Sequence, residues 1–382
     1  MSEEEMEIPQ DTEKEAAGPE QLLSEKVAQL SKEGYHLLKE EQLQEAEECF
    51  FKILEIEDDN NYALVGLGDT ARKEGKLNKA IKYYQRCLEL YKSNNYALFG
   101  LADCYKAMNQ YNKAIKIWEE YLLQDENNIT VLTRVADAYR KVRSFKKSKD
   151  IYLKVLELEE NNAYALIGLG HLHYDFKEFR EALFYWEKIV ELNRDHVDIR
   201  VLTSIGNCHR KLKTYEEGLK FFHMALELDP DNFYALFGLA DCYRGLNKNE
   251  DSLECWHRIL KNDPDNKVIL TRAGDAYREI GDLDNAEMYY TKALNIEFDS
   301  FAVIGLALLN KARGNYHEAI DSLSSLILND PRNHRLYSEM AECYLALGEK
   351  NKAVDILNEF QKKGMHSMYV TRLLEKIKSG RS

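Results

Sequence analysis

Apolar residues along this 382-residue chain recur in paired segments, each with the spacing of one helical face. Leu98, Leu101 and Tyr105 lie three or four residues apart, and Ile115 and Trp118 continue the same spacing in the next segment. This spacing places side chains on one stripe of an α-helix. A short polar stretch separates the two segments. The pattern therefore predicts helical hairpins, each with an apolar face that needs a neighbour.

The hairpin pattern repeats with a period of 34 residues. The segments beginning at Asn95 and at Phe233 align over this whole length. A small residue opens the second helix of each unit; these markers are Ala46, Ala80, Ala114, Ser148, Ala182, Gly218, Ser252, Ala286, Ala319 and Ala353. Their spacing is 34 except for 36 before Gly218 and 33 before Ala319. Such periodicity predicts ten repeats, starting near residues 27, 61, 95, 129, 163, 199, 233, 267, 300 and 334.

The repeat resembles that of the tetratricopeptide-repeat family, which has Leu-Gly, Tyr, Ala, an aromatic residue, Ala and Pro at fixed places. Repeats two, six and eight carry much of this pattern, in Leu67, Gly68, Ala80 and Tyr84, in Gly206, Phe222, Ala225 and Pro230, and in Gly274, Tyr277, Ala286, Tyr290 and Ala293. Departures at the tyrosine place are His173, His209 and Asn310. The resemblance covers nearly 90% of the chain. It implies an all-α fold, a right-handed α-solenoid of about ten helix-turn-helix units.

Turn and capping residues agree with this register. One position between the two helices of a repeat holds Gly75, Gly281, Gly314, Gly348, Asn109 and Asn247. Glycine and asparagine suit the left-handed conformation that ends a helix. Between repeats, Asp-Pro-Asp-Asn at 229–232 and 263–266, Asp-Pro-Arg-Asn at 330–333 and Asn-Asn pairs elsewhere provide a stop and then a cap for the next helix.

The two ends of the chain differ from the repeats. Residues 1–20 hold eight acidic residues against Lys14 alone, which predicts a disordered acidic tail that serves solubility or, alternatively, contacts a partner. Residues 21–26 extend the first helix, so the predicted array occupies 21–363. Residues 364–382 are predicted to form a capping helix and a basic C-terminus, with a basic docking helix as the alternative. The apolar face of this helix consists of Val370, Leu373, Leu374 and Ile377.

A longer internal repeat is also present. Residues 96–105 and residues 234–243 have the same sequence, YALFGLADCY. The two segments are 138 residues apart, and so are Trp118 and Trp256. This offset indicates the duplication of a block of about four repeats. The array is therefore expected to present two similar surfaces.

The family resemblance implies that the first helix of each repeat lines a concave groove through repeat positions 2, 5, 6, 9 and 12. Positions 2, 5 and 6 supply Tyr62, Tyr96, Tyr164, Tyr234, Phe301, Phe99, Phe237, Arg134 and Arg272. Positions 9 and 12 supply Asp69, Asp103, Asp137, Asp241 and Asp275, and Arg72, Lys106, Arg140, Arg210, Arg244 and Arg278. Such a groove could hold an extended peptide by aromatic contact and charge-assisted hydrogen bonds.

Structural interpretations of these positions remain open. Aspartate and arginine three residues apart form ordinary pairs on a helix, and can also bridge repeats. The tyrosines at position 2 could tuck under the preceding repeat, and the glycines common at position 6, which leave a notch beside the aromatic wall, could only permit close helix packing. The family pattern that binds chaperone C-terminal carboxylates is not matched, because position 6 is mostly glycine and position 9 mostly aspartate.

Charge and composition narrow the function. The net charge of −14 argues against nucleic acid, and no apolar stretch is long enough for a membrane span. No catalytic motif occurs, so an enzyme and a cofactor are not expected. His171 and His173 point to different faces of one helix, which disfavours a metal site. The seven cysteines recur at repeat positions, which predicts buried, reduced thiols and a cytoplasmic protein.

The sequence therefore predicts a protein-interaction scaffold that holds a protein or an extended peptide in its groove. Self-association into a homo-oligomer is the alternative. A helical-repeat RNA binder is a remote third possibility, disfavoured by the acidic position 9.

Overall fold

The computed structural model describes residues 19–192 and 197–379, which form 21 α-helices and, within those ranges, no strand. The all-α helical-repeat fold is confirmed. The predicted acidic tail lies outside the described residues up to residue 18, as do residues 193–196 within the longer spacing and the last three residues of the basic C-terminus. The chain divides into two compact units, one ending at Lys177 and one beginning at Glu178.

The first unit consists of alternating first and second helices of the repeats. These are α1 (Pro19–Lys39), α2 (Leu43–Ile56), α3 (Asn61–Lys73), α4 (Leu77–Leu90), α5 (Asn95–Ala107), α6 (Tyr111–Leu122), α7 (Ile129–Lys141), α8 (Phe145–Leu158) and α9 (Ala163–Asp175). Each helix packs against its neighbours in sequence, and first helices also contact the next first helix.

The second unit continues the alternation. Its helices are α10 (Phe179–Leu192), α11 (Ile199–Leu212), α12 (Tyr215–Leu228), α13 (Phe233–Gly245), α14 (Asn249–Asn262), α15 (Lys267–Glu279), α16 (Leu283–Ile296), α17 (Ser300–Ala312), α18 (Tyr316–Asn329), α19 (His334–Ala346), α20 (Lys350–Lys362) and α21 (Met368–Ser379).

The predicted caps are confirmed at the start of the first helices. Asn60 Oδ1 accepts the backbone N–H of Ala63 at 3.0 Å, and Asn94 caps α5 in the same way. Asp198 and Asp299 take this place before α11 and α17. Because the first N–H groups of a helix have no partner within it, each cap contributes about 1 kcal/mol.

The turn between the two helices of each repeat has one left-handed residue. It lies at position 15 in all ten repeats, and only four of these residues are glycines: Glu41, Gly75, Asn109, Arg143, Lys177, Lys213, Asn247, Gly281, Gly314 and Gly348. The N–H of Gly75 bonds the carbonyl of Arg72, and the next N–H bonds that of Ala71. This pair of bonds is the Schellman motif, which satisfies the last carbonyls of a helix.

The small marker residues lie where the two helices of a repeat touch. Ala46, Ala80 and Ala114 are completely buried there. Serine replaces alanine at Ser148 and Ser252, and each hydroxyl donates a hydrogen bond to a carbonyl of the facing first helix, at 2.8 and 3.0 Å. A buried hydroxyl at the marker is therefore satisfied by the partner helix.

The glycines at position 6 receive a ring from the preceding repeat. A Cβ added to Gly100 would lie 2.3 Å from Tyr84 Cζ, and one added to Gly238 would lie 2.1 Å from Phe222 Cζ. Both rings are fully buried. The notch predicted beside the aromatic wall is therefore filled by the chain's own ring, and close packing is the reason for the glycine.

Helix α21 closes the last repeat. Val370, Leu374 and Ile377 are buried in one core with Leu357 and Phe360 of α20. The charged side of the helix stays exposed. The expected capping helix is thus present, and it covers an apolar face that a terminal repeat would otherwise leave in water.

Candidate protein-binding face

A row of aromatic side chains stands out of the first helices at position 2. Tyr62, Tyr96 and Tyr164 in the first unit have exposed fractions of 60%, 78% and 78%. Tyr234 and Phe301 in the second unit have 71% and 68%. None of these five rings tucks under a preceding repeat. We name these five residues the aromatic row; large aromatic surface in water is available for contact with another molecule.

The phenylalanines at position 5 are only half exposed because other side chains use them. The guanidinium of Arg134 lies 4.8 Å from the centre of the Phe99 ring. Phe237 packs edge-on against Trp256, with 5.3 Å between ring centres, and also contacts Phe233. Phe99 and Phe237 therefore contribute to packing within the fold as well as to the exposed face of the first helices.

In the first unit the charged residues at positions 9 and 12 pair with one another. Asp103 binds Arg134 of the next repeat at 2.8 Å and lies 3.9 Å from Arg72 of the preceding one. Arg140 binds Asp137 at 2.8 Å and Asp175 of the next repeat at 2.5 Å. The charges thus link consecutive repeats, which is the structural interpretation that the sequence left open.

The phenol of Tyr84 extends this network. It donates a hydrogen bond to Asp69 at 2.7 Å, and Arg72 bonds the same carboxylate at 3.0 Å. Burial raises the pKa of Tyr84, and the Asp69 charge raises it further. The hydroxyl therefore stays protonated and donates a permanent hydrogen bond between the two helices of the repeat.

In the second unit one of the two carboxylates is buried. Asp241 is 6% exposed and binds Arg210 of the preceding repeat at 2.5 Å and Arg244 at 2.9 Å. Asp275 accepts the hydroxyl of Tyr290 at 2.8 Å, whereas Arg278 pairs with Glu279 at 2.6 Å. Most of the predicted charges are therefore already engaged within the chain.

Two predicted cations differ from this arrangement. Lys106 and Arg272 are half-buried and form no ion pair with any residue that the structure describes. Arg272 corresponds to Arg134 across the internal duplication, yet Asp241 is occupied by Arg210 and Arg244 instead. The two duplicated surfaces thus share their aromatic residues but differ in which cation forms no ion pair, Lys106 in the first unit and Arg272 in the second.

An open cleft of about 920 Å³ lies in the first unit among α1, α3 and α5. Tyr62 and Tyr96 line it, and α1 contributes Ala28, Ser31 and Tyr35. These three residues occupy positions 2, 5 and 9 of the first repeat. The sequence did not predict this cleft, although Ala28 and Ser31 are small side chains at positions that hold aromatic or branched residues in several other repeats. The predicted residue Tyr164 lies outside this cleft.

The N-cap residues Asn60 and Asn94 line the same cleft, together with Asn95, the first residue of α5. Asn95 borders it, and its Oδ1 is shielded from solvent without a hydrogen-bond donor among the described residues. The hydroxyl of Tyr35 donates to the backbone carbonyl of Tyr62 at 3.1 Å, which links α1 to α3 beside the cleft.

The cysteines lie in the interior of the repeats. All seven cysteines are buried and free, and burial raises the pKa of Cys104 to about 11 and that of Cys208 to about 12. Such thiols remain protonated and unreactive. Within residues 19–192 and 197–379, no helix is long and apolar enough to cross a membrane, and no acidic, histidine or cysteine cluster is arranged to hold a metal.

Comparison with protein families identifies the repeat. Models of the tetratricopeptide repeat match segments that together cover more than half of the chain: residues 32–95, 71–136, 234–266, 269–300 and 311–377. The chain belongs to the tetratricopeptide-repeat family. A further model, for anaphase-promoting complex subunit 5, matches residues 127–216 within this tetratricopeptide-repeat array.

Individual relatives of this tetratricopeptide-repeat protein are distant. A 95-residue segment is 32% identical to anaphase-promoting complex subunit 3 of Dictyostelium discoideum, which is 25% of this chain but only 10% of that relative. PilF of Pseudomonas aeruginosa is 17% identical over 56% of this chain and 96% of its own, with a TM-score of 0.48. YrrB, described as having an unusual peptide-binding site, is 22% identical over 49% of this chain and 95% of its own, with a TM-score of 0.41. Likeness at this level concerns the fold alone.

The charged network between repeats makes a testable contribution to the stability of this tetratricopeptide-repeat protein. We expect Asp241→Asn to lower the free energy of unfolding by about 1 kcal/mol, because the arginines it pairs are partly exposed and screened. Urea unfolding followed by circular dichroism measures the change. Asp265→Asn, at an exposed aspartate, is the matched control. Equal stability of the two variants would contradict a structural role of the Asp241 pairs.

Proposed function

We propose that this protein is a non-catalytic scaffold that binds segments of other proteins at the exposed rings of the aromatic row, within each unit. The observation that carries the proposal is the contrast between exposed rings and engaged charges on the same helices. Five aromatic side chains at one repeat position are well exposed, while most aspartates and arginines beside them bind each other. The exposed rings are therefore available to bind another molecule, whereas most of the neighbouring charged groups already bind each other.

Tyrosine suits this task for a physical reason. Its ring offers a large contact area with little rotamer entropy to lose, and its hydroxyl can still donate a hydrogen bond. Residues that dominate the energy of protein interfaces are enriched in tyrosine for this reason. Tyr62 and Tyr96 lie on consecutive repeats of the first unit, which favours an extended partner that contacts both repeats in turn.

The cleft in the first unit gives this row an anchoring point. Its volume is within the range of sites that enclose a ligand, roughly 300 to 1,000 Å³. Tyr62 and Tyr96 supply its aromatic walls. We therefore place an apolar side chain of the partner in the cleft.

The test is affinity capture from native cell extract with intact protein and with a variant carrying Tyr62→Ser, Tyr96→Ser, Tyr164→Ser and Tyr234→Ser. We expect the captured protein to fall by about tenfold or more, because buried interface tyrosines contribute about 2 kcal/mol each or more. Phe99 and Phe237 are kept, because they pack against neighbouring side chains within the fold.

The matched control replaces equally exposed apolar residues outside the aromatic row with serine. These are Leu123, Phe184, Leu228 and Leu328. Capture by the control should equal that by the intact protein. Equal capture by the tyrosine variant would reject the aromatic row as the binding face, and a concentration-dependent mass lost only in the tyrosine variant would make a second copy of the chain the partner.

A further inference from the structure

A small basic pocket lies in the second unit, apart from the aromatic row. It has a volume of about 370 Å³ and lies between the end of α11, the start of α12 and the end of α13. Its lining is strongly cationic for a chain of net charge −14. Four cations and one carboxylate meet there, with two uncharged residues: Arg210, Lys211, Lys213, Arg244, Asp241, Tyr215 and Gly245.

The charges in this pocket are not balanced. Asp241 binds both arginines, Arg210 through one carboxylate oxygen and Arg244 through the other. Lys211 and Lys213 are exposed and form no ion pair with any side chain in the described parts of the chain. Two ammonium groups beside a saturated carboxylate leave local positive charge that an anion would neutralise.

The equivalent place 70 residues earlier shows what fills such a pocket. There, in the first unit, Arg140 and Arg143 correspond to Arg210 and Lys213. The carboxylate of Asp175 binds Arg140 at 2.5 Å, and the backbone carbonyl of Asp175 accepts a hydrogen bond from Arg143 at 3.0 Å. An aspartate thus satisfies both cations through its side chain and its main chain together.

The later pocket lacks this aspartate. Gly245 takes the place of Asp175, and a Cβ at Gly245 would lie 2.5 Å from Cζ of Tyr215. The Tyr215 ring therefore occupies the direction in which a side chain would leave α13. The chain cannot supply its own carboxylate here without moving that ring, so Lys211 and Lys213 remain available.

We propose that this pocket binds an aspartate or glutamate residue within an acidic segment of a partner protein. The carboxylate pairs with Lys213 and Lys211, and the adjacent backbone carbonyl accepts a hydrogen bond, as Asp175 does in its own site. The combination of carboxylate and main-chain carbonyl favours a peptide over a free anion. The proposal is independent of the aromatic row, because it rests on different residues.

Fluorescence anisotropy with the full chain tests the proposal. The probe is a labelled peptide of four Gly-Asp-Ser units, compared with the same peptide carrying Asn for Asp. At low salt we expect the acidic peptide to bind about tenfold more tightly. Lys211→Gln with Lys213→Gln should weaken its binding about fivefold or more, since two exposed ion pairs with the peptide carboxylates are lost.

Two further variants sharpen the result. Lys82→Gln with Lys116→Gln, at exposed lysines on second helices, makes the same change in net charge and should leave binding unchanged. Gly245→Asp with Tyr215→Ala removes the ring that a side chain at position 245 would meet and supplies the chain's own carboxylate, so it should abolish the preference for the acidic peptide. Circular dichroism verifies that each variant is folded.

Several outcomes would overturn the proposal. Equal weakening by both lysine pairs would mean general attraction by charge. No preference for the acidic peptide would mean that the pocket has no carboxylate site. Stronger displacement of the probe by inorganic phosphate than by unlabelled peptide would indicate a phosphate site, and tighter binding of a peptide of residues 1–18 through the same lysines would replace the partner with the chain's own N-terminal segment.

Discussion

Gly238→Ala should destabilise the second unit by about 1 to 3 kcal/mol, although alanine is the better helix former. Alanine in a helix gains up to about 1 kcal/mol over glycine. Against this gain, the new methyl group would lie 2.1 Å from the Phe222 ring, far inside ordinary contact distance. Because Phe222 is fully buried, the ring has no free space to move into. The steric clash with Phe222 therefore costs more free energy than the higher helix propensity of alanine gains.

The measurement is the urea midpoint of the variant, followed by circular dichroism. The control is a double-mutant cycle with Phe222→Leu, which removes the outer atoms of the ring. In that background Gly238→Ala should cost much less or stabilise the helix. A variant that is as stable as the intact protein would mean that the ring and the glycine are not tightly packed.

Trp256→Ala should have a larger effect, a loss of about 3 to 5 kcal/mol. The indole is completely buried and packs edge-on against the Phe237 ring. Its removal loses both the apolar contact area and the close packing of the surrounding helices. The indole Nε1 has no acceptor among the described residues, so no hydrogen bond is lost with the ring.

Urea unfolding followed by circular dichroism at the helical wavelength measures this loss. Trp118→Ala, at the corresponding place in the first unit, should lose a similar amount, because Trp118 is equally buried. Trp256→Phe should retain much of the stability. A loss below about 1 kcal/mol for Trp256→Ala would show that the surrounding helices collapse into the cavity.

Repetition explains why the fold could be predicted from the sequence. The register follows from small residues such as Ala46 and Ala80, and each turn and cap recurs at a fixed distance from them. The predicted turn was recognised only where glycine or asparagine occupied it. Glu41, Arg143, Lys177 and Lys213 adopt the same left-handed backbone, because the packing of both helices imposes it.

The candidate site was less predictable because contacts between repeats decide it. The sequence placed Tyr96 and Asp103 in one groove, but the structure leaves Tyr96 exposed and gives Asp103 two arginines as partners. Which arginine binds which aspartate depends on distances between neighbouring helices. Arg134 and Arg272 occupy equivalent places in sequence, yet only Arg134 pairs with the aspartate before it.

The cleft in the first unit was missed for a related reason. Ala28 and Ser31 are ordinary residues for a helix surface, so their small size at positions 2 and 5 of the first repeat is only a weak signal. They matter only because α3 and α5 carry Tyr62 and Tyr96 opposite the space that these small side chains leave. A cleft that small side chains leave open can be predicted only when the positions of the neighbouring helices are known.

The left-handed turn has a consequence for how such an array diversifies. Its backbone shape is the same whether the residue is Gly75, Asn109, Arg143 or Lys213. The side chain at this position is therefore free to vary at a cost of about 1 kcal/mol for leaving glycine. Each repeat thus has one turn position at which a charged side chain can be gained or lost without a change of fold. Gly75 and Lys213 have the same backbone conformation there and differ by one positive charge.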